Sequence, residues 1–176
     1  GQRQRATIRL QRAIKVFEDL LSVRTRDTAP LDWATTLDNY GNTLGTLGQR
    51  QGDTEMLEKA VSAFEDALKE RTQELVPMDW AATQNNLGTA LQVLGQREKD
   101  PKMLKRSVDA YKNALLEWTR EKVPLSWATT FNNLGTVLRL LGETRKGPRT
   151  LEQSVAAFQN ALAERTRERV PQEWAL

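Results

Sequence analysis

Apolar residues recur along the chain in two alternating patterns, both helical. The first runs Leu10, Ile14, Phe17, Leu21, that is i, i+4, i+7, i+11. It returns as Leu57, Val61, Phe64, Leu68, as Leu104, Val108, Tyr111, Leu115, and as Leu151, Val155, Phe158, Leu162. The second runs Trp80, Gln84, Leu87, Leu91, Leu94, one stripe of an α-helix. It lies in residues 77–95, PMDWAATQNNLGTALQVLG, with copies at 30–48 and 124–142 and the beginning of another at Pro171. Trp33, Trp80, Trp127 and Trp174 are each 47 residues apart. A period of that size, held without slippage, signals a stacked repeat array.

The flanking residues predict where these helices begin and end. The Trp-led helix, termed A, is expected to run for roughly 15 residues. Asp32, Asp79 and Ser126 are good N-cap types, and Gly95 sits where a left-handed C-cap is expected. The other helix, termed B, is expected to run for roughly 20 residues and to stop before Pro30, Pro77, Pro124 and Pro171. Asp100 caps one copy with Pro101 at the first helical position, and Pro148 follows Gly147 in the next. Another copy starts at Asp53 or Thr54, with Glu55 favourable to the helix dipole.

Small residues form a second line on helix B: Ala60 and Ala67, Ser107 and Ala114, Ser154 and Ala161. Helix A carries Gly41, Gly88 or Gly135 in its middle. A mid-helix glycine costs about 1 kcal/mol relative to alanine, so its recurrence argues for close packing, glycine of A against alanine of B. The chain divides as helix B over 3–27, repeats over 30–76, 77–123 and 124–170, and the start of a further repeat at 171–176. No unit buries its apolar stripe alone, so neighbours stack. The expected fold is all-α, a solenoid of stacked antiparallel helix pairs. A chain that opens and stops mid-repeat reads as a piece of a longer array.

Composition narrows the chemistry. The chain is 39% hydrophobic and 28% charged, neither a disordered nor a membrane composition. No apolar run approaches the roughly 20 residues of a membrane span, and no secretory signal is visible, so the expected location is cytoplasmic. There is no Cys and no His, which removes thiol chemistry and the commonest general base and metal ligand. No metal or cofactor is expected. Net charge is +3, divided as +4 over residues 1–29, −5 over 30–76, and +2 over each of 77–123 and 124–176. No basic stripe with interleaved aromatics emerges, so nucleic acid is not an expected partner. No carboxylate pair, phosphate loop or nucleophile–base arrangement is present, and the chain does not read as an enzyme.

The set Leu87-Gly88, Leu91, Gly95 on helix A, with Ala60/Phe64/Ala67, Ser107/Tyr111/Ala114 and Ser154/Phe158/Ala161 on helix B, resembles the tetratricopeptide repeat family. The resemblance covers nearly the whole chain and implies a right-handed superhelix. The departure is length, 47 residues here against the family's usual 34 or so. Thr-x-Asn-Asn-Leu-Gly at 83–88 and 130–135 looks most like the long-repeat branch that includes kinesin light chain.

The resemblance implies that the A helices line a concave groove where partner peptides bind. The family's Asn ladder maps onto Asn39, Asn86 and Asn133, preceded by Asp38, Asn85 and Asn132. One turn on lie Asn42, Thr89 and Thr136, then Gln92 and Arg139, with Gly45 at that place in the first repeat. Asn offers two donors and an acceptor, which suits a peptide backbone, and it is a poor mid-helix residue. The alternative is that these Asn side chains tie adjacent repeats together. Acidic C-terminal peptides are not expected ligands, since residues 80–94 carry no charge and Arg139 is the lone basic residue of these helices.

The periodic Trp residues are expected to pack within or between repeats. Trp118, which stands where other copies have Arg24, Arg71 and Arg165, is expected to pack as well. The run 164–168, Glu-Arg-Thr-Arg-Glu, reads as a solvated turn. The function that follows is binding of a peptide or protein partner, as part of a larger scaffold or signalling protein. The alternative is a spacer or self-assembling, homo-oligomerising module, with head-to-tail association through its ends.

Overall fold

The computed structural model describes residues 2–145 and 147–164. Trp174, Arg165, the start of a further repeat at 171–176 and most of the run 164–168 lie outside the described residues. Among the described residues there are seven helices and no strand: α1 (Gln2–Val23), α2 (Pro30–Gln51), α3 (Thr54–Ala67), α4 (Pro77–Glu98), α5 (Pro101–Glu117), α6 (Pro124–Arg145) and α7 (Pro148–Glu164). Each helix packs on the next, and α2 touches α4 as α4 touches α6. The fold is an all-α solenoid.

The A helices, α2, α4 and α6, are 22 residues each, longer than the periodicity predicts. Both ends move. Helices α2 and α4 start at the proline, which needs no N–H there, with Ala29 and Val76 as cap residues. Asp32 and Asp79 therefore lie in the first turn rather than at the cap, where they still meet the positive end of the dipole. Gly48 and Gly95 do not end their helices. The left-handed residues are Gly52 and Lys99, four positions on. The Gly48 carbonyl accepts from the N–H groups of Gly52 (2.9 Å) and Asp53 (3.0 Å), closing the helix end. Gly95 is small for a different reason: a Cβ there would lie 3.0 Å from the backbone N of Leu104.

Helices α3 and α5 are shorter than predicted, 14 and 17 residues, and α1 stops at Val23 rather than continuing to residue 27, while α7 is described up to Glu164. The starts agree with the prediction. Asp53 accepts from the Met56 N–H and Asp100 from the Lys102 N–H. The ends come well before the prolines because a threonine builds a separate turn. Thr72 Oγ1 accepts from the Leu75 N–H and Thr119 Oγ1 from the Lys122 N–H. The carbonyls of Thr25, Thr72 and Thr119 accept from Ala29, Val76 and Val123. A hydroxyl offering itself to nearby backbone competes with helix continuation.

Helices A and B meet through a glycine and an aromatic ring, not glycine and alanine. A Cβ at Gly41 would lie 2.8 Å from Phe64 Cε1, at Gly88 2.8 Å from Tyr111 Cε1, and at Gly135 2.9 Å from Phe158 Cδ1. In the later two pairs the serine four places earlier on helix B serves the backbone instead. Ser107 Oγ donates to the Gly88 carbonyl and Ser154 Oγ to the Gly135 carbonyl, each at 2.7 Å. Around these contacts Leu44, Leu57, Leu91 and Leu94 form one core, and Leu104, Val137 and Leu138 the next. The Trp residues at 33, 80 and 127 are half-buried. Trp33 packs against Ala34, Leu37 and Ala67, as a packing role requires.

Candidate functional site

The A helices carry the residues that the resemblance assigns to a groove, and the structure sorts them into three groups. The first spans the α2–α4 boundary. Asp38 is buried at 8% exposure, and its carboxylate accepts from Asn86 Nδ2 (3.3 Å to Oδ1) and Asn42 Nδ2 (3.3 Å to Oδ2). Arg71 is buried beside it, with Nη1 3.7 Å from Asp38 Oδ2 and 2.9 Å from Thr83 Oγ1. Its Nη2 donates to Thr35 Oγ1 at 3.0 Å. Burial pushes the Asp38 carboxyl above the usual range, against the opposing pull of Thr83, Arg71 and Asn86.

The second group is the α4–α6 equivalent, and it is neutral. Asn85 stands where Asp38 stood, and its Oδ1 lies 3.2 Å from the Thr130 hydroxyl. Trp118, half-buried at the C-cap of α5, stands where Arg71 stood. One repeat boundary thus holds an acid and an arginine, the next an amide and an indole. Asn132 and Asn133 are half-buried on α6.

The third group lies one turn on. Thr89 Oγ1 is 3.1 Å from the Tyr111 hydroxyl, which donates to Gln92 Oε1 at 3.1 Å. Tyr111 is fully buried, and burial holds its phenol up at about 12. Thr136 bonds back to the Asn132 carbonyl on its own helix. Arg139 pairs with Glu143, also on its own helix, and Asn39 is exposed.

Residues 33–73 match the family model for the tetratricopeptide repeat. That stretch carries a tetratricopeptide repeat. The matched residues contain most of α2, all of α3 and the turn after it. No curated protein matched the chain. Tetratricopeptide repeats are protein–protein interaction modules built on a non-catalytic fold. Among the described residues no helix is long and apolar enough to cross a membrane.

Two polar features of the array escaped sequence reasoning. One is the Asp38–Arg71 pair. The other is a ladder between turns: Arg26 with Glu70, Gln73 with Glu117 (2.8 Å), and Arg120 with Glu164. Each rung joins residues 44 apart, and both sides repeat with the period of 47. The Arg26 and Arg120 guanidiniums also lie 6.0 and 5.9 Å over Trp33 and Trp127. The signal was present as a repeated polar pair at constant offset, but nothing local distinguishes it from a solvated turn.

Proposed function

We propose that the chain binds an extended segment of a partner protein along the face formed by α2, α4 and α6. The observation that carries this reading is a cavity between α2 and α4 lined by Asn42, Asn86 and Thr89, three of the residues that the family resemblance assigns to the groove. Each amide offers donors and an acceptor to a peptide backbone, and each such bond contributes about 0.5–1.5 kcal/mol net. The ladder therefore orients a ligand, and side-chain contacts supply selectivity. The Asn-Asn-Leu-Gly helices support reading the array as a long-repeat variant like that of kinesin light chain, within a larger scaffold or signalling protein. The test is a pull-down with the chain and with Asn86→Ala/Asn133→Ala. Partner binding should weaken by roughly tenfold to a hundredfold with the helical fold retained. A variant that melts much earlier yet binds normally when folded would assign these residues to repeat–repeat structure alone and end the groove reading.

The second reading, self-association, is favoured by exposed Ile8 and Val16 on α1 and exposed Val155 and Leu162 on α7. Repeat arrays with open apolar ends stack on one another. Sedimentation that finds a strict monomer up to millimolar concentration would remove it.

A further inference from the structure

Gly45 has no packing reason to be glycine. A Cβ at Gly41, Gly48, Gly88, Gly95, Gly135 or Gly142 would come within 3.0 Å of a neighbour; at Gly45 it would meet only the Ala60 Cβ, at an ordinary 3.8 Å. Its φ is not in the left-handed region either. A helical glycine without a steric partner carries its stability cost with nothing returned in packing.

What the missing side chain leaves is space. Gly45 lines the cavity between α2 and α4, with a volume of about 100 Å³. Phe64 forms its floor, uncovered by Gly41, while Ala90 and Val93 form the α4 wall. Asn42, Asn86 and Thr89 stand among its polar groups, and no charged residue lines it. One period later the same positions hold larger groups: Gln92 for Gly45, Tyr111 for Phe64, Val137 for Ala90 and Leu140 for Val93. There Gln92 reaches across and accepts from the Tyr111 hydroxyl. The opening at the α2–α4 boundary is thus produced by four smaller residues acting together.

We propose that this cavity is a specificity pocket that takes one aliphatic side chain, of valine to methionine size, from an extended peptide bound on the groove; the proposal rests on the groove reading above. The space is smaller than the cavity of about 150 Å³ that admits benzene, so an indole is excluded. The lining offers no counter-charge, so a buried carboxylate or ammonium is rejected. Asn42 and Asn86, whose Nδ2 atoms donate to Asp38, line the same cavity.

The experiment uses a positional-scanning library of acetylated, amidated octapeptides, captured on the wild-type chain and on Gly45→Gln, which introduces the side chain found at position 92. On the wild type, one library position should favour Val, Ile, Leu and Met over Asp, Lys and Trp by about tenfold or more, the ratio expected for burying such a side chain. In Gly45→Gln that preference should disappear while the weaker, sequence-tolerant capture remains. Capture without an aliphatic preference, or a preference unchanged by Gly45→Gln, overturns the pocket and leaves the groove standing. No capture of any library member by the wild type overturns the groove reading and the pocket with it. Should Gly45→Gln fail to fold, Ala90→Val/Val93→Leu narrows the same space with residues native to the next repeat, and the same two outcomes decide.

Discussion

Asn86 Nδ2 lies 3.3 Å from Asp38 Oδ1, so an amide of one repeat closes on a carboxylate of the repeat before it. Behind that carboxylate stands Arg71, buried and bonded to both Thr35 and Thr83. Removing one member of a buried charge pair leaves the other without compensation, typically at about 3–5 kcal/mol. Asp38→Ala, which strips Arg71, Asn42 and Asn86 of their shared acceptor, should therefore destabilise strongly on its own. The double variant Asp38→Asn/Arg71→Trp reproduces the Asn85 and Trp118 combination of the next boundary and should lose much less than its two single variants summed. A double-mutant cycle by urea denaturation measures the coupling, and additive losses would show that the two positions act independently.

The same carboxylate sets a pH dependence. Its folded-state pKa is raised above the ordinary 3.8, chiefly by burial. The folded state then binds this proton more tightly than the unfolded chain does. The contribution to stability is fully present below 3.8 and is lost as pH rises through the folded value. The stability of the wild type relative to Asp38→Asn should rise as pH falls through that window. Thermal melts of both proteins from pH 7 to pH 4 check the sign of the difference.

Gly88 and Gly135 should tolerate no large side chain. Tyr111 and Phe158 occupy the positions that a Cβ would approach to 2.8 and 2.9 Å; Tyr111 is fully buried in the core and Phe158 is half-buried. Gly88→Leu should cost several kcal/mol, beyond the usual 1–3 kcal/mol or so of overpacking, because the buried Tyr111 ring has no exit, and Gly135→Leu should cost less because Phe158 is half-buried. Melting temperatures equal to that of the wild type would contradict the packing described.

Gly45 should behave oppositely. With only Ala60 Cβ nearby, at 3.8 Å, Gly45→Ala should raise stability by about 0.5–1 kcal/mol. A loss on chemical denaturation would reveal a steric constraint that the geometry does not contain.

The middle rung of the turn ladder is the odd one. Gln73 faces Glu117 where the flanking rungs have arginine facing glutamate. Gln73→Arg should add an ion pair and bring a guanidinium toward Trp80, together about 0.2–1 kcal/mol. The gain should shrink as salt is raised, since the pair is solvent-accessible. Melts at low and high ionic strength test both statements.

The period of 47, the two apolar stripes and the caps at Asp53 and Asp100 were legible in the sequence because each is a local relation: residues within one or two turns, repeated until the pattern is unmistakable. The family resemblance rested on the same residues. Local rules erred where two causes produce one residue type. A glycine after an apolar stripe predicts a C-cap, yet Gly48 and Gly95 stay inside their helices because Asp53 and Leu104 of the following segments press against them. A small residue facing a glycine predicts close backbones, yet the serine there donates to a carbonyl and an aromatic ring fills the notch. The family resemblance grouped Asp38, Asn42, Asn86 and Thr89 along the A helices. Only the stacking of repeats decided that Asp38 turns inward to Arg71, that Asn86 reaches back 48 residues to meet it, and that Gly45 opens space over Phe64. Such contacts depend on the distance and rotation between neighbouring helix pairs, which are set by the summed packing of the whole interface and by no single stretch of the chain.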